Sequence, residues 1–455
     1  MNDPELEGIA RELERSGGRA YLVGGIVRDR LLGLESKDLD VEVHGLEAEK
    51  VEQVLRAFGE VITIGKAFGV YRIKGLDVDF SLPREDSKTG PGHRGFEVRV
   101  DPGLDLAAAS RRRDLTINSM AIDLLTGELF DPHGGCADLH AGILRATDRD
   151  RFADDPLRGL RVAQMGARFE LRPDPELLLL CSRLDLSELP GERMLEEFRK
   201  LLLKGVRPSI GLEILRESGM IRFFPELSAL VGVPQEPDWH PEGDVWTHTL
   251  LVVDAAARMR DGSAEDQALM FGALCHDLGK PSTTVQERGR LRSPAHAEDG
   301  AEISRVFLGR LAAPHDLIDQ VSVLTRFHLL PLFFVTEGAT DRAYRRLSRR
   351  LAAGKATLRM LERVARADHL GRTTDEARSG EFKEGDRFLE RARQLEVQQS
   401  APVDVVRGRD LLARGFRPGP EIGRLLARCR EIQDETGWTD PDRIVNQLLA
   451  NSDGK

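Results

Sequence analysis

The apolar positions of this chain follow two different periods, and the change comes near residue 154. Before it, short apolar runs alternate with glycine-rich breaks. The run Ala20-Tyr21-Leu22-Val23 predicts a buried strand, ended by Gly24-Gly25, and 26–32 predicts a short helix. Residues 38–43 alternate acidic and apolar side chains, the period of a half-buried strand. Val61 to Ile64, Val70 to Ile73, Val78 to Leu82 and Phe96 to Val100 predict further strands. The polar, glycine-rich segment Ser87 to Gly95 predicts a mobile loop. After 154, apolar residues recur every three or four positions over 157–167, 194–203 and 210–221, which predicts helices. Pro225 and the segment 233–238 (VPQEPD) mark a boundary, and a second helical block follows over 239–372. A polar stretch, 373–385, precedes a last helical region, where Pro418-Gly419-Pro420 predicts a helix start at Glu421. The reading is an α+β chain in four parts: a mixed head over 1–146, then helical regions over 147–232, 233–375 and 376–455.

Composition narrows the class. With 455 residues, 40% hydrophobic and 31% charged, the chain can bury large cores without disulfides. Its four cysteines form no CxxC pair, which fits a reducing compartment and argues against a zinc ribbon. The acidic start lacks an apolar signal core, and no stretch approaches the ~18 apolar residues of a membrane span, so a cytoplasmic, membrane-free protein is expected. The net charge is −10, which brings no general attraction to RNA. An RNA ligand would need grouped cations, and Arg111-Arg112-Arg113 and Arg342 to Arg350 are the candidates, unless they are solvated helix faces.

Three segments carry chemistry. The first is Val23-Gly24-Gly25-Ile26-Val27-Arg28 followed by Lys37-Asp38-Leu39-Asp40. A strand, two glycines and a helix start present backbone N–H groups to a phosphate, and Arg28 can grip the same group. Asp38 and Asp40 point to one face of a strand, where paired carboxylates suit Mg²⁺ held jointly with substrate phosphates. Glu42 adds an acid on that face, with no role assigned.

The second segment is Asp154-Asp155-Pro156-Leu157-Arg158-Gly159-Leu160-Arg161, a helix start that Asp154 can cap. Asp155, Arg158 and Arg161 recur every three residues. That spacing alone fits a surface salt-bridge ladder. It also fits base reading. Cytosine and adenine both present an amino donor beside a ring-nitrogen acceptor, a carboxylate only accepts, and a guanidinium only donates. An Asp–Arg pair can therefore take C and A and reject G and U. The third segment spreads over helices: His248, the pair His276-Asp277, then His296, His328 and Asp368, all plausible metal ligands.

VGGIVRDRLLG with KDLD resembles the bacterial class II tRNA nucleotidyltransferases (CCA-adding enzymes) and poly(A) polymerases of the polymerase-β-like superfamily. The likeness continues through RRRDLTINSMAID (111–123), FDPHGGCADL (130–139), RFADDPLRGLR (151–161) and ERMLEEFRKLL (192–202), in the family's order. His248, His276-Asp277 and Asp368 match the pattern of HD phosphohydrolases, a domain carried by one subgroup of these enzymes. The resemblance implies a polymerase-β-like nucleotidyltransferase head with a mixed sheet, an all-α neck and body, an all-α HD domain and a helical tail. It implies Asp38 and Asp40 as catalytic Mg²⁺ ligands, with Asp77 and Asp79 both open as a third carboxylate. Gly25, Arg28 and Arg113 would bind the triphosphate. Asp155 and Arg158 would read the base with support from Arg161; the family's usual form is EDxxR, and Asp154 stands here for the first acid. ATP and CTP are the implied nucleotides and tRNA the implied partner. His248, His276, Asp277 and Asp368 would hold an HD-site metal such as Ni²⁺ or Mn²⁺, with His296 and His328 serving a second.

The implied function is addition of C, C and A to tRNA, plus phosphatase, 2′-nucleotidase or cyclic phosphodiesterase activity. The rivals are a poly(A) polymerase, a partial CC- or A-adding enzyme, or an RNA-binding HD hydrolase with a dead head. Monomer and homodimer are both compatible with the sequence.

Overall fold

The computed structural model describes residues 4–35, 39–64, 69–88 and 96–451. The chain divides into two compact units, Met1–Phe223 and Phe224–Lys455. Among the described residues the first unit holds eleven strands: β1 (Arg19–Val23), β2 (Leu39–His44), β3 (Val61–Ile64), β4 (Val70–Ile73), β5 (Val78–Ser81), β6 (Arg84–Lys88), β7 (Phe96–Val100), β8 (Ala121–Asp123), β9 (Leu129–Phe130), β10 (Ile143–Leu144) and β11 (Arg172–Pro173). Seven form one sheet in the order β3-β4-β5-β2-β1-β8-β9. It is mixed: β2 and β5 run parallel while the other pairs are antiparallel.

One face of this sheet carries Leu22, Val41, Val43, Val78 and Phe80, packed with Leu6, Ile9 and Leu13 of the helix Pro4–Arg15 and Val54 and Leu55 of the helix Ala48–Arg56. The opposite face therefore receives Tyr21, Asp40, Glu42 and His44, the even-period partners of those core residues.

β3, β4 and β7 span the predicted residues. β6 differs: Ser87 and Lys88, predicted as loop, pair with Glu97 and Phe96. A strand whose backbone is satisfied by a hairpin partner needs no apolar alternation, so periodicity does not reveal it. Residues 89–95 of the predicted loop, and Asp38, lie outside the described residues.

Past residue 157 the unit is helical, with Leu157–Phe169, Pro175–Ser182, Gly191–Lys204 and Pro208–Glu217. Two of these meet backbone to backbone: a Cβ on Gly211 would stand 2.4 Å from Ala163 O, and one on Gly166 would stand 2.3 Å from Ile214 Cδ1. The entry to Leu157–Phe169 corrects the predicted cap. Asp155 Oδ1 accepts Leu157 N at 3.1 Å, while Asp154 closes the short 3-10 turn Phe152–Asp154. Pro156 has no N–H, so the first donor on offer is Leu157, within reach of the acid two positions back.

The second unit is built from helices that include Val245–Arg258, Glu265–Cys275, His296–Arg310, His315–Phe327, Asp341–Ala353, Leu358–Gly371 and Pro420–Thr436. A small hairpin, Val285–Glu287 with Arg290–Arg292, interrupts them. The segment His315–Thr336 is 22 residues long and apolar enough by composition to cross a membrane, contrary to the expectation above. Here it breaks into two helices that bury Leu317, Val321 and Leu324 and place His328 inside the unit.

The basic run 342–350 is largely spent on the tail. Arg345 donates to Asp434 O at 2.8 Å, and Arg349 pairs with Asp434 and Asp404 at 2.8 and 2.6 Å. As a grouped RNA-facing patch it is therefore reduced to its exposed members, Arg346 and Arg350.

Candidate functional site

The head unit contains a cavity of about 850 Å³ lined by Gly24, Gly25, Arg28, Asp40, Arg113, Asp155, Arg158 and Arg161. The first two chemical segments thus meet in one place. Nine Arg and Lys side chains line it against five Asp and Glu, in a chain whose net charge is −10. Concave walls lined by one sign of charge focus the field, so this cavity favours an anion.

Gly24 turns the chain at φ 83°, a left-handed conformation that glycine adopts without strain. It is also a close approach: a Cβ here would lie 2.7 Å from Arg113 Nη1 and 3.8 Å from Asp40 Oδ2. Asp40 is exposed on β2, and its register partner on parallel β5 is Asp79. Asp79 is held by Arg72 through two bonds of 2.7 and 2.9 Å, while Asp77 is exposed in the turn before β5.

Glu42 gains an account that the sequence did not supply. It is buried, accepts from Arg112 Nη2 at 2.8 Å, and sits 3.0 Å from His44 Nε2. Burial alone would raise its pKa, but the His44 bond and the charges of Arg113 and Arg112 outweigh burial and bring it to about 2. Glu42 is therefore an anchor for the two arginines.

Arg28 lines the cavity, but its guanidinium is engaged: it donates to Asp29 at 2.6 and 2.9 Å and to Asn118, and it lies 4.3 Å over the Phe169 ring. Burial lowers its pKa against the pull of Asp29. Arg158 donates to Arg151 O and Arg112 O, both at 2.7 Å, and Arg161 donates to Asp114 at 2.6 Å. Asp155 accepts from Arg193 at 3.0 Å, so it is not paired directly with Arg158. Asn118, Arg168, Arg193 and Lys204 line the cavity without having been singled out from sequence, and Arg112 lines it as a member of the basic group 111–113. Arg193 lies inside the quoted 192–202 motif, which was the available signal.

The second unit brings the histidines together. His248, His276, Asp277, His328 and Asp368 are all buried. His248 Nε2 stands 3.1 Å from Asp368 and 3.9 Å from Asp277, and His276 and His296 stand 3.1 and 3.6 Å from Asp277. Among the described residues three overlapping groups have donor atoms within 4.8 Å of one another: His240, Glu242 and His248; His248, His276 and Asp277; and Asp277, His296 and His328. Nδ1 of His276, His296 and His328 lies 2.7–2.8 Å from the carbonyl three residues back. Nδ1–H bonded in this way leaves Nε2 as the free donor atom. Nε2 of His276 and of His296 is buried with no hydrogen-bond partner. Buried nitrogens left open beside two carboxylates are the donor set of a divalent metal.

Burial would raise Asp277 and Asp368. His276 and Lys280 hold the first well below the usual carboxylate range, and Arg372 with the His248 bond holds the second there. Burial and the neighbouring His296 and His276 push His328 down to about 3, so it is neutral. The sequence reading missed Glu242, which accepts from His248 Nδ1 at 2.8 Å and from Thr373 N at 3.0 Å, fixing the ring.

Residues 20–145 match the poly A polymerase head domain, 180–230 the "probable RNA and SrmB- binding site of polymerase A", and 245–372 the HD domain. Among solved structures, the CCA-adding enzyme of Bacillus stearothermophilus, in complex with CTP, shares the fold at a TM-score of 0.69 and 23% identity, covering 100% of this chain and 99% of that one. The Thermotoga maritima CCA-adding enzyme, complexed with tRNA, gives 0.59 at 19% identity, covering 99% and 96%. Among curated relatives, the multifunctional CCA protein of Xanthomonas campestris pv. campestris (strain B100) is 34% identical over 90% of this chain and 97% of its own length. That of Halorhodospira halophila is 36% identical over 435 residues, 90% of this chain and 96% of its own length. The chain belongs to the family of multifunctional CCA proteins.

Proposed function

We propose that the head unit adds C, C and A to the 3′ end of tRNA from CTP and ATP, and that the second unit is a metal-dependent phosphohydrolase. The observation that carries the first reading is the single cation-lined cavity shared by Asp40, the Gly24-Gly25 turn, Arg113, Asp155, Arg158 and Arg161. The triphosphate lies against Gly25, Arg28 and Arg113. The terminal hydroxyl oxygen of tRNA attacks the α-phosphorus, and pyrophosphate leaves. Asp38 and Asp40 would hold Mg²⁺, which would supply charge neutralisation at the attacking and leaving oxygens. Register beside Asp40 favours Asp79 over Asp77 as the third acid. Asp155 accepts the amino group of C or A, and Arg158, supported by Arg161, donates to the ring nitrogen.

The four parts 1–146, 147–232, 233–375 and 376–455 correspond in this reading to head, neck and body, HD domain and tail, working in the cytoplasm. Given a tRNA lacking its last three nucleotides, with CTP and ATP, the protein adds C, C and A in order. A long A tail or a halt after CC would favour a poly(A) polymerase or a partial enzyme, and no incorporation a dead head.

In the second unit, His248, His276, Asp277 and Asp368 would hold one transition metal such as Ni²⁺ or Mn²⁺, and His296 and His328 would serve a second. A metal there would supply an activated water. Lys280 and Arg372, which line the cavity of this second site, hold phosphate oxygens. Turnover of 2′,3′-cAMP that needs added metal and disappears in His276→Ala supports this; turnover indifferent to either refutes it.

A further inference from the structure

The HD cavity, about 280 Å³, has two kinds of wall. Buried Asp277, His328 and Asp368, with His296, line one part of it. Its rim includes Trp239, Leu291, Leu332 and Phe333. Trp239 is 59% exposed and Phe333 41%, and among the Phe, Trp and Tyr side chains that the structure describes they are the only exposed ones. Two solvent-facing aromatics on the rim of one small cavity form a specific apolar surface, unlike singly scattered surface residues.

The Trp239 position is built. Trp239 N donates to Glu236 O at 3.1 Å, and the Glu236 carboxylate accepts Leu291 N at 2.9 Å, tying the turn to the hairpin. The next residue, His240, bonds Glu242 at 2.9 Å, the acid that fixes His248. The same turn therefore sets both the rim and the metal group. A ligand that fits has a phosphate for the buried part and a flat, apolar ring for the rim. A nucleoside phosphate has both, and an aromatic platform suits any base because every base has a π-face.

We propose that Trp239 and Phe333 are the base-stacking platform that makes the HD site prefer nucleoside phosphates to phosphate esters without a ring; this rests on the hydrolase reading of that site. The test compares 2′-AMP with glycerol 2-phosphate on the metal-loaded full chain. Trp239→Ala lowers the preference, the ratio of the two kcat/KM values, roughly tenfold or more, carried by KM for 2′-AMP. Trp239→Phe restores most of it. An unchanged ratio overturns the proposal, whether or not both rates fall together. Binding gives a second readout without turnover. 2′-AMP quenches tryptophan emission and the quench disappears in Trp239→Phe, since Trp246 is buried and Trp438 packs on the tail cluster and does not line this cavity. No quench overturns the platform. A quench without any hydrolysis overturns only the hydrolase reading.

Discussion

Glu42 lies two positions from Asp40 on β2, yet the two acids do different work. Asp40 is exposed to the cavity, while Glu42 is enclosed by His44, Arg112 and Arg113. Its folded pKa of about 2 is below the ordinary 4.5, so its stabilisation is full above about pH 4.5 and is lost as pH falls through 2. That shift corresponds to about 3 kcal/mol for the head. Glu42→Gln should lower the head's urea midpoint at pH 7, with the difference from the parent shrinking towards pH 3; a gap that stays constant with pH contradicts the assignment. Base choice is also decided by single residues. Replacing Asp155 and Arg158 together by Ala should erode the C and A preference more than basal transfer, read in a four-way nucleotide competition. Unaltered selectivity would remove both from base reading. The identity of these residues was legible in the sequence, but their partners were not. Asp155 turning to Arg193, and Arg158 to two carbonyls, depends on chain segments brought together by folding.

Elements position these residues through close approach. The strands with apolar alternation were legible, because one face of the sheet is a core and a period of two follows from that. β6, β8 and β9 were not, since a short strand whose backbone bonds are met by a hairpin partner needs no apolar alternation. Helix contacts behave in the same way. A Cβ on Gly279 would stand 2.1 Å from His296 O and 2.6 Å from Gly300 N, so the residue after His276-Asp277-Leu278 touches the start of the helix that carries His296. Gly279→Ala should force these segments apart, cost about 1–3 kcal/mol in the thermal unfolding of this unit, and weaken metal binding about tenfold in a Mn²⁺ titration. An alanine variant with unchanged melting and metal affinity would show that this contact does not set the distance between Asp277 and His296.

At the scale of the whole molecule, the two cavities use separate residues, one set below Glu217 and one above Pro225 in sequence. Their activities should separate: Asp40→Asn should abolish nucleotide addition and keep phosphohydrolysis, and His276→Ala should do the reverse. Loss of both activities in either variant would mean that the sites are not independent. The net charge of −10 concealed a local cationic surface, because a sum over a chain carries no position.

The sequence by itself determined the residue types, the order of motifs and the two periods, because these follow from local spacing and from what each side chain can donate, accept or ligate. Only the tertiary structure decided the rest. It placed β2 beside the 112–113 turn and the neck helix, turned Glu42 into an anchor, left Nε2 of His276 and His296 open beside Asp277, and set Trp239 at the rim of the same cavity. Burial and partnership over tens to hundreds of residues depend on how the elements pack, and no local pattern encodes that.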